Sequence, residues 1–124
     1  MTLEQWKNKG GYDKVLGHQI FTQEEGSGET ILLIHGFPTA SWDWWQMWSD
    51  LASRYHVLAL DMLGFGYSNK PKDQKYSILE QADIIEAFLD QKDVKHVKIL
   101  SHDYGDTVAP VSYTHLTLPT ICSV

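Results

Sequence analysis

Three short runs in this chain are apolar almost without interruption: Thr30-Ile31-Leu32-Leu33-Ile34, His56-Val57-Leu58-Ala59-Leu60 and Val97-Lys98-Ile99-Leu100. A strand with one face in water alternates apolar and polar residues; a strand covered on both faces loses that alternation. Each run opens into a turn-rich segment: His35-Gly36-Phe37-Pro38, then Asp61 to about Lys75 with Gly64, Gly66 and Pro71, then Ser101-His102-Asp103-Tyr104-Gly105. Helical patterns lie between them. The first carries Trp42, Trp44, Trp45, Trp48 and Leu51, with Thr39 or Ser41 placed to cap it. The second opens on Ser77-Ile78-Leu79-Glu80, a capping box, and repeats Ile78, Ala82, Ile85 and Leu89 at helical spacing. Upstream, Tyr12–Leu16 and His18–Glu24 are extended runs split by Gly17, which predicts a hairpin. The order β-β-β-α-β-α-β-α predicts an α/β protein with a doubly wound sheet.

Composition narrows the function. The 124 residues are 43% hydrophobic, enough for one core. Ten Lys+Arg against sixteen Asp+Glu give a net charge of -6, the wrong sign for a nucleic-acid binder. No apolar stretch reaches the length of a membrane span, and Met1-Thr2-Leu3-Glu4-Gln5 lacks the layout of a signal peptide. Cys122 is the single cysteine, so no internal disulfide can form and a reducing, cytoplasmic location is expected.

The character of the chain changes near Pro110. Val111-Ser112-Tyr113-Thr114-His115-Leu116-Thr117-Leu118-Pro119-Thr120 has neither helical nor strand periodicity and no Asp, Glu, Lys or Arg. This string resembles the translation of a transposase-derived sequencing adapter, with a natural C-terminal tail as the alternative. The expected organisation is therefore a partial core over residues 1–109 and a non-native tail over 110–124. His115 and Cys122 then carry no functional information, and the last core strand is expected to be left as an uncovered edge.

In doubly wound sheets ligands sit at the carboxyl ends of the strands. The segment Ser101-His102-Asp103-Tyr104-Gly105 has the form small-x-nucleophile-x-small between a strand and a helix. A residue lifted onto a sharp turn needs small neighbours two positions away, here Ser101 and Gly105, so that strand and helix can approach. Together with His35-Gly36-Phe37-Pro38 and Gly64-Phe65-Gly66-Tyr67-Ser68, it resembles the α/β-hydrolase fold. Within that fold it is similar to the branch with an aspartate nucleophile, which includes epoxide hydrolases and haloalkane dehalogenases. Leu63 to Ser68, Tyr76-Ser77-Ile78 and Ser101 to Asp106 most resemble the mesoderm-specific transcript proteins and their bacterial relatives. The resemblance implies the N-terminal part of a hydrolase sheet that stops after the nucleophile elbow. It also implies Asp103 as nucleophile, the backbone N–H groups of Phe37 and Tyr104 as oxyanion hole, a small apolar organic substrate and no cofactor. His35, Gly36, Pro38, Ser101, His102 and Gly105 would shape the site.

An aspartate in that position selects chemistry. A carboxylate is ionised at neutral pH without a neighbouring base. Its attack on an ester or amide would give an uphill mixed anhydride. Attack on an epoxide, or on a saturated carbon bearing a leaving group, gives a stable alkyl ester that histidine-activated water can hydrolyse. Dehalogenases hold the departing halide with indole or amide N–H groups, which Tyr104 and Phe37 do not offer; epoxide hydrolysis therefore ranks first and dehalogenation second. Epoxide hydrolases usually carry a small residue where Asp106 stands.

Other readings stay open at this level. Asp103 could simply cap the helix that follows. His102 could pack beneath the sheet end, and His102, Asp103 and Asp106 hint weakly at a metal. The tryptophans could line a substrate cavity, although core packing is the first expectation for most of them, with Trp44 and Trp48 on one face. Gly64, Gly66 and Ser68 would turn the chain near the site without touching substrate. The family's triad acid and histidine follow the nucleophile in chain order, and beyond Asp103 only His115 is a candidate. This chain alone is thus expected to be inactive or to stop at a trapped ester. A truncated or pseudoenzyme chain is the competing class, and a membrane-attached form is disfavoured for want of an N-terminal anchor.

Overall fold

Successive side chains of a strand point to opposite faces, so a run that is apolar at every position needs a core on each side. Both cores are present. In the computed structural model, which describes residues 2–35, 40–71, 78–101 and 120–123, Leu32, Ile34, Leu58 and Leu60 face one way and pack against Ala82, Ile85, Phe88 and Leu89. Ile31, Leu33, Val57 and Ala59 face the other way and meet Trp6, Trp44 and Trp48.

The elements run α1 (Leu3–Lys9), β1 (Gly11–Val15), β2 (His18–Glu25), β3 (Thr30–Ile34), a 3₁₀ turn (Ser41–Trp44), α2 (Trp45–Ala52), β4 (His56–Leu60), α3 (Ile78–Gln91), β5 (Lys98–Ser101) and β6 (Thr120–Ser123). The sheet order is β1-β2-β4-β3-β5-β6. Strands β4, β3, β5 and β6 are mutually parallel, while β2 pairs antiparallel with both β1 and β4. The sheet is therefore mixed, with the parallel part where the continuous apolar runs predict it. The hairpin also stands as expected, turning at Leu16 and Gly17, both with positive φ as a tight two-residue turn requires.

Three elements differ from the sequence expectations. Helix α1 is additional. Thr2 and Gln5 form a reciprocal capping box at its start, and Trp6 carries its apolar side into the α2 core. Ser41 does not cap α2, because its N–H and hydroxyl are both engaged elsewhere; a 3₁₀ turn precedes the helix, with Ala40 at its cap and no side-chain cap bond. Strand β5 is not the sheet edge: Thr120–Ser123 lies parallel to it, in register Lys98↔Thr120 to Ser101↔Ser123. An open row of strand N–H and C=O groups attracts any β-competent segment, and Thr120-Ile121 is β-branched. Thr39, the Ser77 end of the second capping box and the helix expected after Ser101 lie outside the described residues.

At the amino end of β4 an ion network ties the sheet to α3. His56 bonds Thr30 through Nδ1 (3.0 Å) and Glu24 through Nε2, and Lys92 reaches Glu24 (3.1 Å) and Asp13 (3.5 Å). Partial burial works against the Glu24 charge, but the bonds from His56 and Lys92 prevail and hold its carboxyl below its ordinary value. A depressed carboxyl contributes stability above its unfolded-state pKa and loses it as the pH falls through the folded value. The stability advantage of the native chain over Glu24→Gln is therefore expected to be full above about pH 4.5 and to shrink on further acidification. Thermal midpoints of both proteins across that range check this. A difference that does not vary with pH would mean the charge of Glu24 contributes nothing. No helix among the described residues is long and apolar enough to cross a membrane.

Candidate active site

The topology fixes where a ligand would sit. From β3 the chain crosses through α2 to β4 on one side, then returns through α3 to β5 on the other side of β3. Helices α2 and α3 accordingly cover opposite faces. In open α/β sheets a ligand site is expected at the carboxyl ends of the strands where the strand order reverses, here between β3 and β5. Ser101, the last residue of β5, pairs level with Ile34, the last of β3. The two turns singled out in the sequence thus start side by side at the same height.

His35 follows β3 directly and is fully buried. Its Nε2 accepts the Met62 N–H at 2.9 Å, which in the neutral ring leaves the proton on Nδ1. The edge of Phe65 packs on the ring, 5.4 Å between centroids. His35 therefore fastens the end of β3 to the loop after β4. Ser101 is fully buried too. Gly36, Phe37, Pro38, His102, Asp103, Tyr104 and Gly105 lie outside the described residues, as does the suggested His102, Asp103 and Asp106 metal group. Among the described residues no three metal-ligating side chains come together.

A residue the sequence reading passed over organises the rest. Asp61, at the end of β4, is buried, and its carboxylate accepts the Ser41 N–H (2.7 Å) and the Tyr67 N–H (2.8 Å). One side chain thereby holds both the loop that follows it and Ser41, the first residue of the 3₁₀ turn. Gly66 has φ +53, and a Cβ there would stand 2.2 Å from the Asp61 carboxylate and 2.9 Å from Ala40. No other residue fits. Ser68 closes the loop, donating to the Asp61 carbonyl and accepting the Phe21 N–H at 2.9 Å. Gln81 from α3 both accepts from and donates to the Leu63 backbone (3.1 and 2.8 Å). Gly66 and Ser68 have the structural duties expected of them. The signal for Asp61 was present in the sequence: an acid where an apolar strand ends, five residues before a glycine.

Trp44 and Trp48 are buried core, as expected of most of the tryptophans. Trp42 instead lines a cleft of about 440 Å³ with Trp6, Tyr67, Asp43 and Asp61.

Comparison with known proteins agrees with this geometry. The family model described as alpha/beta hydrolase fold matches residues 29–109. The mesoderm-specific transcript homolog protein of Homo sapiens is 47% identical over 114 residues, covering 86% of this chain and 34% of that protein. A haloalkane dehalogenase of Agrobacterium fabrum is 38% identical over 89 residues, covering 72% of this chain and 29% of the relative. The solved structure of the epoxide hydrolase CorEH superposes with a TM-score of 0.87 at 22% identity, over 92% of this chain and 41% of that one, a likeness of fold. The chain spans about a third of the length of the curated relatives it matches.

Proposed function

The chain belongs to the alpha/beta hydrolase fold family, and from that premise we propose that it is the N-terminal part of a hydrolase whose nucleophile is the Asp103 carboxylate. The observation that supports this most is the level pairing of Ile34 with Ser101. It sets the starts of the His35 and Ser101 turns next to each other at a switch point, and Asp103 follows two residues later. In the proposed reaction a carboxylate oxygen attacks an electrophilic carbon of a small apolar substrate to form an alkyl ester of Asp103; the epoxide carbon–oxygen bond breaks and its electron pair stays on the substrate oxygen, which takes up a proton, or the bond to a leaving group breaks and that group departs as its anion. Water, deprotonated by a histidine later in the full-length chain, attacks the ester carbonyl. The negative charge that develops there is met by the N–H groups of Phe37 and Tyr104, and as it collapses the acyl carbon–oxygen bond breaks, the histidine returns the proton to the departing alcohol and the Asp103 carboxylate is restored. The bonds from His35 and Asp61 would hold the Phe37 turn at both ends.

An epoxide is the first substrate class, because neither Phe37 nor Tyr104 carries a side-chain N–H for a departing halide. The 38% identity to a haloalkane dehalogenase favours the second reading, dehalogenation. Incubating the full-length gene product with an aryl epoxide and with a primary haloalkane separates them: diol formation without halide release is expected, and the reverse pattern would invert the order. The same proposal takes residues from about 110 onward as adapter-derived, in keeping with a family match that stops at 109. Reading the source DNA past Ala109 for an acid and then a histidine checks it. A cytoplasmic site of action belongs to the proposal, residues 1–109 offering no cysteine for a disulfide.

A further inference from the structure

We infer, resting on the roles proposed for Asp103 and Phe37, that Trp6 is a positioning residue for the water step of the reaction and acts through its bond to Ser41. Helix α1 is fastened to β2. Gln23 donates to the Trp6 carbonyl (2.5 Å), and Lys9 pairs with Glu25. The chain leaves the helix so close to β2 that a Cβ on Gly10 would stand 2.4 Å from the Phe21 ring and 2.8 Å from the Thr22 carbonyl. From this base the buried Trp6 side chain meets Trp48 edge to face at 5.1 Å and Trp42 at 5.9 Å, two contacts that set the plane of its ring. Its Nε1 donates to the Ser41 hydroxyl at 3.3 Å inside the core.

Ser41 is thus gripped twice, its hydroxyl by α1 and its N–H by Asp61 at the end of β4. His35, next after β3, is tied to Met62. Residues 36–40 separate these two fixed points in the chain, and Phe37 is one of them. A segment that short, tied at both ends, has few conformations open to it. The water step depends on this more than the first step does. While the Asp103 carboxylate attacks a saturated carbon, no charge builds on its carbonyl oxygen. When water attacks the ester, an oxyanion forms there and needs its donors already in place. Loss of a whole donor of this kind costs about 10²–10³-fold in rate. Loosening the segment that carries one is expected to slow ester hydrolysis by about tenfold and to leave ester formation alone.

The test follows a single turnover of an aryl epoxide by the full-length gene product, with the mass of the protein reporting the ester. Trp6→Phe keeps a ring in the core and lacks the N–H; Ser41→Ala lacks the acceptor and keeps its backbone N–H for Asp61. In each, ester formation and kcat/KM are expected to stay within about twofold of the native protein while ester decay slows about tenfold. The double variant should be no slower than either single one, because both remove the same bond. Ser41→Ala is the smaller change and carries the test if a thermal melt shows that Trp6→Phe does not fold. Ester decay at the native rate in the folded variants overturns the inference alone. Equal slowing of formation and decay, the sign of general damage to the core, does the same, as does a double variant slowed by the product of the two single effects. Diol formed by the native protein without any ester on Asp103 overturns the proposed nucleophile and the role of Trp6 with it.

Discussion

Replacing Asp103 with alanine in the full-length gene product is expected to lower kcat/KM by about 10⁴-fold or more while leaving thermal stability nearly intact. Loss of a covalent nucleophile removes the reaction path itself, and what remains is catalysis by binding and by the oxyanion hole. The competing role for this residue predicts the opposite pairing. A helix N-cap changed to alanine costs about 1 kcal/mol of stability and has no direct effect on chemistry. Kinetics and melting on the same variant therefore separate the two. A stability loss of that order with activity kept would assign Asp103 to the cap.

The second large effect concerns Asp61, which is buried at the end of β4 and holds two backbone donors. Asp61→Ala removes the acceptor of both the Ser41 and Tyr67 N–H groups, and each unsatisfied buried donor costs about 1–3 kcal/mol. The expected total of about 3 kcal/mol is a large share of the 5–15 kcal/mol typical of a domain. Urea unfolding of this chain measures it. Asp61→Asn should recover part of the loss, since its carbonyl still accepts from one donor while its amide faces the other. A cost below about 0.5 kcal/mol for alanine, the range of ordinary surface substitutions, would mean that the loop is held by Ser68 and Gln81 without Asp61.

The parallel strands and α3 were legible because burial on both faces removes alternation and burial on one face imposes helical spacing. Thr30–Ile34 and His56–Leu60 occupy the strands their composition predicts. The features that were not legible depend on partners far along the chain. Ser41 has the residue type of a helix cap, but its N–H is taken by Asp61, twenty residues away. Thr120–Ser123 has no strand periodicity around it and pairs because β5 presents an open edge. Helix α1 was readable from Thr2 and Gln5, a capping box in a stretch short enough to pass for a mere leader. His35 and Ser101 were singled out where apolar runs give way to turn-forming residues, and the structure sets them at neighbouring strand ends. Asp61 was overlooked because its role lies in the main-chain groups it receives, which composition does not display.

The covalent ester on Asp103 is the central claim, and isotopic labelling reaches it directly. The full-length gene product, in excess over an epoxide, is allowed a single turnover in water enriched in oxygen-18, and both diol and protein are then weighed by mass spectrometry. Attack by the Asp103 carboxylate, with water then entering at the ester carbonyl, predicts an unlabelled diol and one heavy oxygen in the peptide that contains Asp103. Heavy oxygen in the diol, with none in that peptide, would mean that water attacks the substrate itself and that no such ester forms.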